Sequence, residues 1–353
     1  MIALFFGTRP QVIKASVLRG ALEKVGPVAA IDTGQHYDYS LHRVHYEQLG
    51  VTPPDAYLEV GSASHARQTA SILIAAEEWI LAHKPDVAVV IGDTNSTLAC
   101  ALAAAKCRVP VAHVEAGLRA KDLLMAEEIN RRCVDAIASV LLAPCARAAA
   151  TLEEEQSGGA IHVVGDVALD VLQRALPRIM ALADIPGYDS AWGSDFIYVT
   201  LHRAELVDDE KKLEQVVAAL HQLPHPVLFA AHPRTAAALD RGKVKLNGRV
   251  KIRPPLGYLE SLSVLQRAAA VVTDSGGIQR EAYWLGVPCV TVRTESEWAE
   301  TVGLGANRLV APERVEGLKR AVADAIAQPR TWDRSAYGDG TAAARVAEIL
   351  SRS

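Results

Sequence analysis

The sequence has no excess of charge of either sign: 37 lysines and arginines stand against 41 aspartates and glutamates, a formal net charge of −4. That balance leaves no electrostatic footprint for nucleic acid or an anionic membrane, so an anionic ligand must be met by local cations. Long hydrophobic runs are also missing. The longest apolar stretch, around Leu98–Ala105, is far too short to span a bilayer, and the apolar Met1–Phe6 has no basic segment before it. No C-x-x-C pair occurs among Cys100, Cys107, Cys133, Cys145 and Cys289, which lie mostly in apolar runs. Free thiols in a reducing compartment, and hence a cytoplasmic protein, are the expectation. Internal repeats and low-complexity tracts are absent. The strings G-x-x-x-x-G-K-[ST], G-x-G-x-x-G and G-x-S-x-G are absent as well, which leaves P-loop NTPases, simple dehydrogenases and α/β-hydrolases without their usual signatures.

What is present is apolar sequence in quantity. Half of the 353 residues are apolar and only 22% are charged, enough for a large core divided into about two domains. Short runs rich in Val, Ile and Phe recur with helix-period segments between them: Ile2–Phe6, Val28–Ile31, Val87–Ile91, Val111–Val114, His162–Val164, Phe196–Thr200, Val227–Ala230, Val250–Ile252, Ala270–Thr273 and Cys289–Val292. Strands alternating with helices predict an α/β protein with parallel sheets covered on both faces. Their number is high for one open sheet, and a Pro/Gly/Asp-bearing stretch from residue 183 to 195 breaks the pattern. The expected division is an N-terminal domain over 1–175, a second domain over 176–335, and a last helix over 336–353. A single β/α barrel is the rival arrangement.

In open parallel sheets the ligand crevice lies at the carboxyl ends of the strands, and polar strings follow the strands here. Gly7-Thr8-Arg9-Pro10 with Lys14 follows the first; Gly92-Asp93 and Glu115 follow two others; His202-Arg203 and Asp274-Ser275-Gly276-Gly277 follow two more. Ser275, Gly276 and Gly277 open a helix-period segment, where backbone N–H groups can cradle a phosphate, and Glu281 lies one turn on, where a carboxylate can accept ribose hydroxyls. The same string also fits a simply capped helix with a surface Glu. Asp93, Glu115 and Glu127 can stabilise cationic charge and move protons on a sugar ring, or can cap helices. Glu127 and Arg131 are spaced as a helix ion pair. His202 can meet a phosphate, carry a proton or bond to backbone. His42 and His45 beside Glu47 have helix spacing but lack the wider frame of a zinc site, so no metal is expected.

Several of these strings, in this order, resemble one family, the non-hydrolysing UDP-N-acetylglucosamine 2-epimerases. They are Gly7-Thr8-Arg9-Pro10 with Ile13-Lys14, Thr33-Gly34-Gln35-His36, Gly92-Asp93-Thr94, His113 to Arg119 (HVEAGLR), Glu127 to Arg131 (EEINR), Val164-Gly165-Asp166, His202-Arg203, Thr273 to Gln279 with Glu281-Ala282, and Tyr337 to Gly340. The resemblance covers essentially the whole chain. It implies a glycosyltransferase-B-type fold, two Rossmann-like doubly wound domains with a cleft between them that holds a UDP-sugar, the last helix crossing back to the first domain. Ser275, Gly276 and Gly277 would then bind the diphosphate and Glu281 the ribose. Arg9, Lys14, Arg131, Arg203 and Tyr258 would be further UDP-binding residues. Asp93, Glu115 and Glu127 would be catalytic acids, with His202 among the catalytic groups beside the phosphates. No cofactor is implied; a homodimer is.

The activity implied is interconversion of UDP-GlcNAc and UDP-ManNAc by elimination and re-addition of UDP through a 2-acetamidoglucal. A UDP-2,3-diacetamido-2,3-dideoxyglucuronate 2-epimerase is the nearest rival, because Gly92 to Thr97 (GDTNST), Glu127 to Arg131, His232-Pro233-Arg234-Thr235 and Glu297-Trp298 look similar to that subgroup too. A UDP-sugar-dependent retaining glycosyltransferase would use the same fold and UDP cradle, and a hydrolysing epimerase would free the sugar. The chain departs from the family pattern at Gln11, where Glu is usual, at Leu206 for Asn, at Ala126 for Pro, and at Ser261, where an aromatic is expected.

Overall fold

Valine, isoleucine and alanine, stiff or small and readily buried on both faces of a pleat, build two separate all-parallel sheets. The computed structural model describes residues 1–35, 51–181, 184–185, 187–242 and 247–352. The chain divides into two compact units: Met1–Arg174 with Tyr337–Ser353, and Ala175–Ala336.

The first unit holds β1 (Ile2–Phe6), β2 (Val28–Asp32), β3 (Ala56–Tyr57), β4 (Val87–Ile91), β5 (Val111–Val114), β6 (Val140–Ala143) and β7 (Ala160–Val163). Their order in the sheet is 3-2-1-4-5-6-7. The second unit holds β8 (Ile197–Thr200), β9 (Val227–Ala230), β10 (Val250–Arg253), β11 (Ala270–Thr273), β12 (Cys289–Thr291) and β13 (Asn307–Leu309), ordered 10-9-8-11-12-13. Both are the doubly wound, Rossmann-type order. Two open sheets exclude the single barrel.

Each sheet is covered by helices whose apolar stripe faces it. The helix Arg9–Leu22 buries Val12, Ala15, Leu18 and Leu22, at spacings of three and four residues, in one cluster with Leu4, Val89, Ile91 and Val114 of the strands. Ala342, Ala343, Val346 and Ala347 of the last helix, Ala342–Ser351, belong to the same cluster, so residues more than three hundred positions from β1 complete its core. The turn before this helix is tied to the same unit, with Asp166 N–H donating to the Tyr337 carbonyl at 2.9 Å.

Three strands escape the sequence pattern. Val140–Ala143 follows the helix Ala126–Ile137 with no turn residues between, so its apolar run merges with the helical one. Asn307–Leu309 is a polar edge strand, and Ala56–Tyr57 is an edge strand only two residues long. The strand expected at His162–Val164 lies at Ala160–Val163.

Leu18 is fully buried at the centre of this packing. Leu18→Ala should lower the unfolding free energy by about 2–5 kcal/mol, read as a lower urea midpoint at unchanged slope. A loss well under that range would mean the helix does not carry the core contact described.

Candidate active site

In the first unit the strand order reverses between β1 and β4, which opens a crevice beyond their carboxyl ends. The register pairs Ile91 of β4 with Val114 of β5, so Gly92-Asp93 and Glu115 leave the sheet side by side. Glu115 has φ +71°, a left-handed conformation seldom taken by a residue with a side chain. Gly92 is also left-handed at φ +68°, and a Cβ there would come within 3.2 Å of Glu115 Oε2. The Glu115 carboxylate therefore lies against the bare Cα of Gly92.

Lys14, on the buried side of the helix Arg9–Leu22, donates to Glu115 Oε1 and Oε2 at 2.7 Å each. The cation expected beside phosphates is thus engaged with a carboxylate. Arg9 is the first residue of that helix and half-buried. Gln11 is buried; its Oε1 accepts from Gly7 N–H at 2.9 Å and Thr8 N–H at 3.2 Å, while Nε2 donates to the Ile91 carbonyl at 2.6 Å and Thr94 Oγ1 at 2.9 Å. A carboxylate could not supply the donor half of this set, which gives the departure at Gln11 a local reason.

The third acid comes from the helix Ala126–Ile137. Glu127 is exposed in its first turn, where negative charge suits the helix dipole, and Ala126 stands at the opening position that a proline would also fit. One turn on, Arg131 is ion-paired to Asp93 and donates to Glu128 at 3.1 Å, while Asn130 Nδ2 donates to the Asp93 carbonyl at 2.9 Å. Glu128, fully buried, also accepts from Ala120 N–H at 2.8 Å and Arg132 at 2.7 Å. The first unit therefore brings the Asp93 loop against both Glu115 and the helix that carries Glu127.

Beneath them lies a pair that the sequence did not single out. His113, fully buried on β5, places Nδ1 2.6 Å from Asp135 Oδ1 and Nε2 2.7 Å from the Gly92 carbonyl oxygen. Asp135 Oδ2 accepts from Gly117 N–H at 3.1 Å and Arg119 at 2.7 Å. Burial would raise the Asp135 pKa, but the His113 and Arg119 charges and hydrogen bonds outweigh it and hold the carboxyl below its ordinary range. The signal available in sequence was helix spacing: Glu128, Arg131 and Asp135 fall at i, i+3 and i+7, a buried polar stripe on one face.

The second unit repeats the reversal between β8 and β11. The helix Gly276–Leu285 begins directly after β11 and Asp274, with Ser275 as its N-cap residue; the Ser275 side chain makes no capping hydrogen bond, and Ser275, Gly276 and Gly277 are only half-buried. Glu281 lies one turn along the same helix, half-buried. Asp274, buried, accepts from His202 N–H at 2.7 Å and Arg203 N–H at 2.8 Å, and its Oδ1 is 2.9 Å from His202 Nδ1. Burial pushes the Asp274 carboxyl up, yet the His202 ring and the two backbone N–H groups pull it further down, so it is held ionised below its usual range. One buried carboxylate thus fixes His202 and Arg203 beside the start of the helix Gly276–Leu285. Tyr258 opens the helix Tyr258–Arg267 after β10, with β9 and β8 intervening in the sheet. Ser261 Oγ lies 2.9 Å from the Tyr198 hydroxyl, and Leu206 is buried in the unit's core, so both departures are absorbed in packing.

Arg293 and Glu297 form a buried bidentate pair at 2.8 and 3.0 Å, and Arg203 lies 4.0 Å from Glu297. Burial alone would raise the Glu297 pKa; the Arg293 hydrogen bonds and charge lower it to about 2. Trp298 next to it carries the Arg280 guanidinium 3.9 Å over its ring, and its Nε1 is 3.0 Å from where a Gly276 Cβ would be. Among the described residues no group of three His, Cys, Asp or Glu is arranged to hold a metal. His36, His42, His45 and Glu47 lie outside the described residues.

Two doubly wound units, one with acids at its switch point and the other with a glycine-bearing helix start at its own, make an α/β fold of the glycosyltransferase-B type. The calicheamicin glycosyltransferase CalG4 shares that fold at TM-score 0.59 and 17% identity, over 99% of this chain and 97% of that one. The family model for UDP-N-acetylglucosamine 2-epimerase matches residues 23–351, and the chain belongs to that family. It is 41% identical to the UDP-2,3-diacetamido-2,3-dideoxy-D-glucuronate 2-epimerase of Pseudomonas aeruginosa, over 99% of each chain. The crystal structure of the Methanocaldococcus jannaschii UDP-GlcNAc 2-epimerase, in complex with UDP-GlcNAc and UDP, is similar at TM-score 0.91 and 38% identity, covering 100% of this chain and 99% of that one.

The Arg293–Glu297 pair generates a pH dependence. With the folded carboxyl lowered from 4.5 to about 2, its stabilisation is complete above pH 4.5 and is lost as the pH falls towards 2. It is on the order of 3 kcal/mol for the second unit. Urea titrations of wild type and Glu297→Gln between pH 6 and about 2.5 should show a flatter decline in the variant; parallel declines would mean the pair does not carry this dependence.

Proposed function

We propose that the protein interconverts UDP-GlcNAc and UDP-ManNAc by eliminating and re-adding UDP. The observation that carries this reading is the joining of Asp93, Glu115 and the Glu127 helix in the first unit through Gly92, Lys14 and Arg131. The C2 proton of the sugar has no carbonyl beside it to make it acidic, so direct deprotonation is barred. Breaking the C1–O bond first sends the electron pair to the diphosphate and leaves an oxocarbenium-like centre, next to which the C2 proton becomes acidic. A carboxylate removes it and the C1=C2 double bond of a 2-acetamidoglucal forms. The reverse steps, with the proton delivered to the other face of C2, give the second epimer.

In this reading Asp93, Glu115 and Glu127 stabilise the cation and move the proton. Lys14, bonded to both of its oxygens, holds the Glu115 carboxylate in place. The first-turn N–H groups at Ser275, Gly276 and Gly277 and the cations Arg9, Arg131 and Arg203, with His202 steered by Asp274, receive the charge that develops on UDP; Tyr258 and Glu281 hold the nucleoside. The thiols of Cys100 and Cys289, pushed far up by burial, take no part and fit a reducing cytoplasm. The exposed Ile129, Cys133 and Ile137, one stripe on the helix Ala126–Ile137 beside Leu123 and Leu124, support a second copy as partner.

A second reading has specific support: the 41% identity to the Pseudomonas aeruginosa enzyme, which is named for a diacetamido glucuronate. Incubation with UDP-GlcNAc and separately with that uronate in deuterated water, followed by proton NMR, decides between them. The first reading expects deuterium at C2 in both epimers of UDP-GlcNAc. Turnover of the uronate alone would select the second; full protium at C2 after epimerisation would end the elimination route, and free hexosamine would identify a hydrolysing enzyme.

Asp93→Asn, Glu115→Gln and Glu127→Gln should each lower kcat by about a hundredfold or more; the exposed Glu127 variant should keep its urea midpoint, whereas Glu115→Gln, which leaves buried Lys14 without its carboxylate, should lower it. Glu281→Ala should weaken UDP binding, measured by calorimetry. Near wild-type rates in all three acid variants would remove the catalytic assignment.

A further inference from the structure

The three acids sit on three separate pieces of chain, and these pieces share one buried junction. The Gly92 carbonyl precedes the Asp93 peptide N–H; Gly117 is two residues past Glu115; Asp135 is on the helix of Glu127, two turns along. His113 bonds the first to the third at 2.7 and 2.6 Å, and Asp135 bonds on to the second at 3.1 Å. We propose that His113 and Asp135 are positioning residues of the epimerase: together they fix the Asp93 loop, the Glu115 segment and the Glu127 helix relative to one another. The inference rests on the assignment of the three acids above.

The ring is held between two acceptors, the Gly92 carbonyl oxygen and the Asp135 carboxylate. Arg119 keeps Asp135 in its charged form, bonded at 2.7 Å. The remaining polar neighbours of the junction are accounted for: Gly92 N–H donates to the Val114 carbonyl at 2.9 Å, and Arg119 also pairs with Glu155. The ring is fully buried and the Gly92 carbonyl faces it, so neither His113 nor Asp135 is assigned a contact with substrate. Their effect runs through the acids. An epimerase needs this more than most enzymes, because the proton must leave on one face of C2 and return on the other, and a displaced carboxylate spoils one of the two transfers before the other. Misplacements of about 1 Å cost on the order of a hundredfold in comparable settings.

The test uses two near-isosteres that each keep one bond. His113→Asn places an amide N–H2 where Nδ1 bonds Asp135; His113→Gln places one where Nε2 bonds Gly92. Each should retain a cooperative urea transition, keep KM within about twofold, and lower kcat by about tenfold or more. Each should also change the ratio of C2 deuterium in recovered substrate to that in epimerised product, a ratio that stability loss alone leaves untouched. Asp135→Asn should do the same. Wild-type ratio and kcat in the folded variants would overturn the proposal while leaving the proposed function intact; absence of C2 exchange in wild type would remove both. Independently of any variant's folding, nitrogen-15 spectra of histidine-labelled wild type should show a ring N–H held in a hydrogen bond and shielded from solvent exchange. If no histidine ring N–H is so shielded, the junction is absent and the proposal falls.

Discussion

A parallel sheet wound outward in two directions from its first strand has one place where neighbouring connections depart to opposite faces, and polar groups can be gathered there without breaking the core. In this chain that place occurs between β1 and β4 and again between β8 and β11. Gly92-Asp93 in the first unit and His202, Arg203 and Asp274 in the second stand directly at it. Around the first reversal the chain sets carboxylates; around the second it sets a helix start with bare glycines. The division of labour follows from charge. In the proposed reaction the acids meet a developing cation and the N–H groups a diphosphate, and the two sets would weaken one another in a single small crevice.

Both crevices rest on buried charge. Asp135, Glu128 and Asp274 are almost wholly out of water, and each is surrounded by donors: His113, Gly117 and Arg119 for the first, Ala120, Arg131 and Arg132 for the second, and His202 and Arg203 for the third. Buried ions of this kind contribute little net stability, since desolvation consumes much of the attraction. What they supply is geometry. A hydrophobic side chain in any of the three positions would pack, but it would leave backbone donors unpaired and the adjoining functional segment free to shift.

The parts of this molecule legible in sequence were those set by local pattern. Val87–Ile91 and Ala270–Thr273 read as strands because they are short, β-branched and followed at once by Gly92-Asp93 and Asp274-Ser275. The start of the helix Gly276–Leu285 was legible because two glycines open a helical period. What remained hidden was set by tertiary pairing. His113 and Asp135 are twenty-two positions apart on a strand and a helix, and only the fold shows that the ring faces the Asp rather than the core. Lys14 and Glu115 were assigned separate duties by resemblance, whereas the structure joins them across 101 positions. Val140–Ala143 was missed because a buried strand next to a buried helix has no period of its own.

Glu115 stands in a backbone conformation that a residue with a side chain enters only at a cost of about 1–2 kcal/mol. Glycine would relieve that cost and asparagine would ease it, and either would remove the carboxylate. On the role proposed for Glu115, selection for a sturdier fold and selection for turnover pull on this one codon in opposite directions. On that role a lineage released from its sugar-nucleotide duty would be expected to lose the acid here early.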